Sequence, residues 1–303
     1  MESQDSSEPK FNVYQAITDQ VVGAIKAGAG KYVMPWHTQS GITRPANAYT
    51  GDAYRGVNVL TLWVSGCSRQ YRTGHWASFK QWQRLNASVR KGERGSIIVF
   101  YKEHVTAESE DEADPRPRLY ARASRVFNAD QVDGWRPPEL PEEPEAERVG
   151  LVDAFVQGTG AAIRYGGEMA QYCHREDVID MPQIERFRAT RTSTATQAYY
   201  ATLCHELVHW AGAPHRLNRQ FGERYGDRAY AFEELVAELG AAFLCATFSV
   251  ANDPRPDHAA YVANWLEVLN RDTKAIFMAA SQAEKAVSYL LSLWAEKRAA
   301  PAT

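Results

Sequence analysis

The sequence predicts an α+β chain of two domains. Its 303 residues are 45% hydrophobic and 23% charged, which are globular values that exclude general disorder, a collagen-like repeat and a coiled-coil rod. Apolar residues recur at helical spacing in several segments, and short β-branched or aromatic runs indicate strands between them. At ~100–200 residues per domain, the length fits two domains that each bury a core.

Composition also argues against a membrane protein and a disulfide scaffold. No apolar run approaches the ~20 residues that span a bilayer, and residues 1–10 are polar, unlike a secretory signal. The cysteines at 67, 173, 204 and 245 stand far apart without a C-x-x-C pair. We therefore expect a cytoplasmic protein without a membrane partner.

The net charge of −3 conceals three different segments. Residues 1–105 carry +6, residues 106–147 carry −7, and residues 148–303 carry −2. The average charge would argue against nucleic acid as a partner. Its distribution instead points to a basic N-terminal region.

The acidic middle segment predicts loop and linker. Glu108–Pro117 and Pro137–Glu147 are rich in acids and proline, and such segments bury too little apolar surface to offset their ordering entropy. We therefore predict domains at 10–136 and 149–303, joined by an acidic, Pro-rich linker at 137–148.

Periodicity predicts the elements of the first domain. Tyr14–Ala27 and Ser78–Leu85 have helical patterns, whereas Val57–Val64 fits either a helix or a strand. Gly95–Tyr101 is a β-branched and aromatic strand, and Leu119–Phe127 is a candidate for one more. The first domain is therefore predicted to be α+β.

This domain mixes basic residues with aromatic rings. Residues 31–104 contain 11 basic, 3 acidic and 11 aromatic side chains. Single-stranded nucleic acid is bound by such mixtures, because cations track phosphates and rings stack on unpaired bases at ~1–3 kcal/mol each. Core tryptophans and solvated lysines give the same composition, so both interpretations stay open. The candidate contacts are Arg55, Trp76, Phe79, Lys80, Trp82, Arg90 and Lys91, with Arg44 and Arg72 among further phosphate partners.

Four segments of the first domain resemble one family. Pro45–Asn47, Tyr54–Asn58, Trp76–Trp82 and Val89–Gly95 look like the N-terminal domain of ArdC-type antirestriction proteins. A similar domain occurs in TraC-type plasmid primases. The resemblance implies that this domain binds single-stranded DNA without strong sequence preference.

The sharpest local motif is His205-Glu-Leu-Val-His209. Histidines four residues apart share one face of a helix, so both imidazoles can bind one metal ion. Glu206 lies beside that face, where it can act as a general base towards water. Ser193 or Thr194 can cap the start of this helix. The motif therefore predicts a metal site with Glu206 as its catalytic residue.

The third metal ligand has candidates in two places. The segment from His205 to His215 fits the metzincin pattern H-E-x-x-H-x-x-G-x-x-H, but the methionine that follows, Met278, lies in a helical segment that is wrong for a Met-turn. Further along the chain, Glu234 and Glu238 lie one helical turn apart among apolar residues. One such carboxylate can bind the metal while the other accepts an N–H from a ligand histidine.

A second resemblance favours the glutamate. This E-x-x-x-E spacing is similar to the glutamate helix of gluzincins, and His205–Trp210, Arg216–Arg219 and Glu233–Glu238 match the zincin-like domain of ArdC proteins. The resemblance implies Glu234 as the third ligand and Glu238 as the partner of a ligand histidine. The alternatives for the third ligand are His215, Glu233 and Glu238.

The second domain is predicted to combine a small sheet with helices. The predicted helices are Val149–Gln157, His205–Ala211, Tyr230–Thr247, Ala259–Asn270 and Thr273–Lys297, and the predicted strands are Ala162–Tyr165 and Val178–Met181. This is the order of a zincin-like metallopeptidase domain, here with a helical C-terminal tail.

Together the resemblances imply a plasmid-type antirestriction protein that protects incoming conjugative DNA from host restriction. The expected partners are single-stranded DNA and a host restriction-system protein. The expected cofactor is a divalent metal, with zinc first and manganese as the alternative. Two alternatives stay open: a zincin-type metallopeptidase that hydrolyses a peptide bond, and a DNA-binding protein with a non-catalytic metal site.

Overall fold

A computed structural model describes residues 11–29, 34, 36–37, 44–104, 118–138, 144–190, 193–220, 228–251 and 258–299. Its helices are α1 Val13–Ala29, α2 Val57–Arg69, α3 Phe79–Arg84, α4 Glu145–Thr159, α5 Ala195–Ala211, α6 Arg228–Thr247, α7 His258–Arg271 and α8 Ala275–Ala299. Its strands are β1 Ala46–Asn47, β2 His75–Ala77, β3 Ser88–Val89, β4 Ser96–His104, β5 Arg118–Asn128, β6 Val132–Asp133, β7 Ala162–Tyr165, β8 Gln171–Cys173 and β9 Val178–Met181. The α+β prediction is confirmed.

Differences from the predicted elements lie mainly at their ends. The segment Val57–Val64, which fitted either type, begins α2, and Leu119–Phe127 lies within β5. Helix α4 begins at Glu145, inside the predicted linker. The strands of two or three residues were not predicted, because so short a segment has no measurable periodicity. The predicted loop Glu108–Pro117 and residues 139–143 of the linker lie outside the described residues.

The described strands form three sheets, and the first two are interleaved along the chain because β3 lies between β2 and β4. The first domain has the order β1-β2-β5-β4 and a two-stranded pair, β3-β6. In the first of these, β4 and β5 pair antiparallel from Ser96 opposite Val126 to His104 opposite Arg118. The second domain has the order β7-β9-β8, in which β7 is parallel and β8 antiparallel to β9. Strand β8 is thus an edge strand, and it contacts α5.

One hydrophobic core runs through both predicted domains. Helix α1 packs against α2 and α7, and α8 packs against α2 and α6. Trp36 of the first domain lies edge-to-face on Trp265 of the second, with ring centroids 5.8 Å apart. Arg44, a predicted phosphate partner, instead forms an ion pair with Glu284 of α8. The domain boundaries stay predictions, but the two halves contact each other through buried side chains.

None of the helices in the described ranges combines the length and the apolar character that crossing a bilayer requires.

Candidate metal centre and nucleic-acid interface

Helix α5 carries the histidine motif and begins at a capping box. The Thr194 hydroxyl accepts a hydrogen bond from the backbone N–H of Gln197 at 3.2 Å, and the Gln197 side chain accepts one from the backbone N–H of Thr194 at 3.0 Å. This reciprocal pair satisfies two N–H groups that a helix start leaves free. It fixes the start of α5, which in turn presents His205 and His209 to α6.

A glycine lets α6 approach α5 closely beside the motif. A Cβ atom added at Gly240 would lie 2.6 Å from Cγ2 of Val208, a separation that real Cβ atoms do not adopt. The backbone of α6 therefore passes directly against the Val208 side chain. This close packing brings the carboxylates of α6 within reach of the imidazoles of α5.

Three side chains converge on one point between these helices. The Nε2 atoms of His205 and His209 lie 3.1 Å apart. Oxygens of Glu234 lie 3.5 Å from each of these nitrogens, and one ligand atom from each residue falls within 4.8 Å of the others. Ligands bound at 2.0–2.1 Å to one tetrahedral ion are about 3.3 Å apart. The three side chains therefore fit a single divalent ion.

The other nitrogen of each histidine is held by a carboxylate. Glu238 Oε1 lies 3.0 Å from Nδ1 of His205, and Glu233 Oε1 lies 3.1 Å from Nδ1 of His209. When Nδ1–H donates to a carboxylate, the tautomer is fixed and Nε2 presents its lone pair to a metal. Glu238 thus occupies the predicted position. Glu233, which had been an alternative ligand, is the matching partner of the second histidine.

The buried carboxylates make this point favourable for a cation. Burial lowers the pKa of His209, but hydrogen bonds and charge from Glu233 and Glu234 outweigh it and raise that pKa to about 10. Burial raises the pKa of Glu234, but hydrogen bonds from His205 and His209 hold it below its usual range. Positive charge is therefore stabilised between these groups, as a divalent metal requires.

Arg219 completes the site from the loop after α5. Its Nε donates to Glu233 Oε2 at 3.0 Å, and its Nη2 donates to Glu233 Oε1 at 2.7 Å and to the carbonyl of Val208 at 2.6 Å. The guanidinium thus holds Glu233 by a bidentate pair and ties it to α5. In the sequence, Arg219 could be noticed only because it lies in the Arg216–Arg219 stretch that resembles ArdC proteins. Its spacing from the histidine motif did not indicate that it binds Glu233.

The structure also places the other residues that the sequence suggested for this site. Glu206 lies next to His205 on α5 and is 6% exposed; its role as general base stays a prediction. His215 lies outside the converging group, with Nε2 3.2 Å from Asp177 Oδ2 on an exposed surface. Met278 lies within α8, so it forms no turn below the site. The structure therefore brings Glu234, and not His215, to the two motif histidines.

A basic cleft lies on the first domain. It measures about 580 Å³, and Arg55, Lys80, Arg84 and Phe100 are among its lining residues. Lys80 and Arg84 are four residues apart on α3 and therefore share a face; this spacing could have identified Arg84. The Arg84 guanidinium lies 5.7 Å from the ring centre of Tyr49. The cleft thus combines three cations and one acid, Asp52, with the accessible ring of Phe100.

Two of the predicted stacking residues are in the core, which corrects the prediction. Trp76 is 1% and Trp82 is 0% exposed, and Trp82 Nε1 donates to the carbonyl of Phe127 at 3.0 Å. Neither ring can reach a base, because tryptophan offers a large apolar area that packing buries first. Phe79, at 49% exposed, keeps an accessible ring. The tryptophans instead support the surface on which the basic residues lie.

The predicted cations are divided between two places. Arg55 and Lys80 line the basic cleft. Arg90 lies elsewhere, where its guanidinium contacts Glu93 at 3.2 Å and donates to the carbonyl of Asp130. Lys91, beside it, is exposed. This division was not predicted, because spacing along the chain does not show where loops fold.

Two family models match the chain. Residues 11–132 match the N-terminal domain of anti-restriction factor ArdC, and residues 151–282 match a zincin-like metallopeptidase. The uncharacterized protein y4eC of Sinorhizobium fredii is 44% identical over 92% of this chain and 91% of its own length. The DNA primase TraC of Escherichia coli is 32% identical over 94% of this chain, which spans only 28% of that primase.

Solved structures give the same assignment. Crystal structures of the antirestriction protein ArdC from plasmid R388, one metal-free and one Mn(II)-bound, are 37% identical, with TM-scores of 0.77 and 0.75. They match 94% of this chain and 99% of their own. The expected zincin-like, two-part architecture is confirmed. This chain belongs to the ArdC family of antirestriction proteins.

Proposed function

We propose that this protein binds single-stranded DNA, holds one divalent metal ion on His205, His209 and Glu234, and protects incoming conjugative DNA from host restriction. The observation that supports this proposal most strongly is the geometry of the site: the Nε2 atoms of His205 and His209 lie 3.1 Å apart and both face the Glu234 carboxylate. The chain that carries this site belongs to an antirestriction family. Cytoplasm is the proposed location, because incoming DNA meets restriction endonucleases there.

The donor set supports zinc as the first choice of metal. Two imidazoles and one carboxylate are ligands that zinc accepts with one position left open. Manganese is the alternative, since an R388 relative was crystallised with Mn(II). A bound ion would supply Lewis acidity towards a carbonyl oxygen.

A basic surface supports the DNA-binding part of the proposal. Arg55, Lys80 and Arg84 line the basic cleft and provide cations for consecutive phosphates. The exposed rings of Phe79 and Phe100 can stack on unpaired bases, which are accessible only in single strands. Stacking and phosphate contacts read no base edge, so we propose binding without strong sequence preference.

Peptide hydrolysis is the second candidate function, favoured by an edge strand beside the metal centre. Strand β8, Gln171–Cys173, pairs with β9 alone among the described strands and contacts α5. An extended peptide can add to such an edge by backbone hydrogen bonds. Glu206 would then accept the proton of the attacking water, while Glu233 and Glu238 keep the imidazoles oriented. A host restriction-system protein is the proposed peptide substrate.

Conjugative transfer into a restricting host tests the main proposal. We expect the double variant Arg55→Glu/Lys80→Glu to lose protection of the transferred plasmid, because it reverses two cations of the basic cleft. Arg188→Glu/Lys285→Glu, the same reversal of two charges on exposed residues of the second domain, is the matched control and should protect normally. Full protection by the double variant contradicts the proposal.

Glu206→Gln separates the two functions. This change preserves the three ligands but removes the proton acceptor. Loss of protection assigns antirestriction to hydrolysis, and retention assigns it to DNA binding with a non-catalytic metal.

A further inference from the structure

A second polar cleft opens on the first domain, away from the basic cleft. It measures about 720 Å³. The loop before β2, the short 3-10 helix Ala129–Gln131 and residues 135–137 enclose it. Its lining includes Arg72, Arg90, Arg136, Asp130, His75 and Trp135. Arg72 pairs with Asp130, and Arg90 pairs with Glu93 and Asp133 beside the cleft. The positive charge that a ligand would meet therefore comes from Arg136 and from the solvent-exposed side chain of Arg72.

Asp130 fixes two of these arginines in place. Its carboxylate accepts hydrogen bonds from Nη2 of Arg72 at 2.9 Å and from the backbone N–H of Arg72 at 2.5 Å, and its carbonyl accepts one from Arg90. The Arg72 side chain is nevertheless 86% exposed, so further N–H donors face solvent. A guanidinium that is already oriented loses less entropy when it binds a phosphate.

The aromatic wall of the cleft is equally fixed. Trp135 packs edge-to-face on the buried Trp82, with ring centroids 5.2 Å apart, and lies 5.3 Å from the His75 ring. Contacts with Trp82 and His75 therefore fix the position of the Trp135 indole at the edge of the cleft. Arg136, the next residue, is exposed beside it. A supported flat ring among cations is suited to one unpaired base and its phosphates.

Helix α3 connects the two clefts. Lys80 and Arg84 line the basic cleft, whereas Trp82 lies between them in sequence, on the opposite face of the helix, and contacts Trp135. Two surfaces with the same chemistry therefore lie on either side of one short helix.

We propose that this cleft of Arg72, Trp135 and Arg136 binds a second stretch of the same DNA strand that occupies the basic cleft. Phosphates bind Arg72 and Arg136, and one base stacks on Trp135. The inference rests on the proposed binding of single-stranded DNA. It extends that proposal, because a strand that occupies both clefts follows a path around α3 instead of binding at a single site.

Fluorescence anisotropy with oligothymidines of six and twenty-four nucleotides tests this path. The second cleft adds affinity only when the strand is long enough to reach it. We expect Arg136→Glu to weaken binding of the long oligonucleotide about tenfold, with a salt slope smaller by ~0.7 for the lost phosphate contact. Binding of the short oligonucleotide should change less than about twofold, because a strand bound at the basic cleft is then too short to reach the second cleft as well.

Further variants separate the outcomes. Trp135→Leu should weaken long-strand binding at least about fivefold, Trp135→Phe should restore part of it, and thermal unfolding of each shows that the fold is kept. Arg188→Glu is the charge-matched control. If the wild type binds no oligonucleotide at micromolar protein, the proposed function itself fails. If it binds both lengths, and Arg136→Glu and Trp135→Leu bind the long strand with wild-type affinity and salt slope, the second cleft alone is refuted.

Discussion

The metal centre and the basic surface of the first domain are built in opposite ways. In the proposed metal centre all three proposed ligands are buried, and each histidine has a carboxylate beside its second nitrogen, at 3.0 Å for His205 and 3.1 Å for His209. On the first domain the cations are exposed and divided between two clefts. The first arrangement couples function to stability, whereas the second allows a functional side chain to be replaced with little effect on the fold.

The largest effect should follow from removing a ligand histidine. His209→Ala leaves Glu233 and Glu234 without their shared partner in a buried site, so we expect the free energy of unfolding to fall by about 3–5 kcal/mol. Urea unfolding of the wild type should also show stabilisation by added zinc, which the variant should lack. Glu206→Gln, on the same helix, is the control. If zinc stabilised His209→Ala as much as the wild type, His209 would not be a ligand and this result would falsify the contrast between the two regions.

Removing the arginine behind the site should be nearly as costly. Arg219→Met keeps much of the side-chain volume but leaves the Glu233 carboxylate with His209 only, and we expect a loss of about 3 kcal/mol in unfolding free energy. Metal affinity should fall roughly 10–100-fold, because Glu233 orients a ligand. Arg188→Met is the matched control. Wild-type metal affinity in Arg219→Met would show that this guanidinium does not support the ligand.

A smaller effect is expected where α5 and α6 touch. Gly240→Ala places a methyl group against Val208, whose β-branched side chain has little rotamer freedom in a helix. The strain of about 1–3 kcal/mol exceeds the ~1 kcal/mol that alanine gains over glycine in a helix. Adding Val208→Ala should recover part of the lost unfolding free energy. Additive losses in the double variant would show that the helices do not meet there.

The smallest stability effect is expected on the basic surface. Lys80→Ala should change the unfolding free energy by less than about 0.5 kcal/mol. It should nevertheless weaken binding of a single-stranded oligonucleotide and lower the salt slope by ~0.7. Trp82→Ala, two residues away but in the core, should cost about 3–5 kcal/mol of stability. If Lys80→Ala lowered the free energy of unfolding by several kcal/mol, the basic surface would not differ from the metal centre in its link to stability.

This contrast also explains what the sequence could predict. Helical spacing places side chains four residues apart on one face, and the structure brings His205 and His209 together with Glu238 beside His205. The choice of Glu234 as ligand and Glu238 as histidine partner came from the family resemblance and stays a prediction. Arg219 and the role of Glu233 depend on how a loop returns to α5, which spacing does not show. Trp82 and Phe79 are near neighbours in one helix with opposite exposure, and composition counted both as stacking residues. Long, periodic elements were found, while strands of two residues were not.

We propose that one divalent metal ion binds His205, His209 and Glu234. Elemental analysis of the purified protein, with Glu234→Ala and His215→Ala prepared in parallel, measures this ion. We expect one divalent ion per chain in the wild type and in His215→Ala, and none in Glu234→Ala, with all three folded by circular dichroism. Full metal content in Glu234→Ala, or its loss in His215→Ala, would contradict the proposed site.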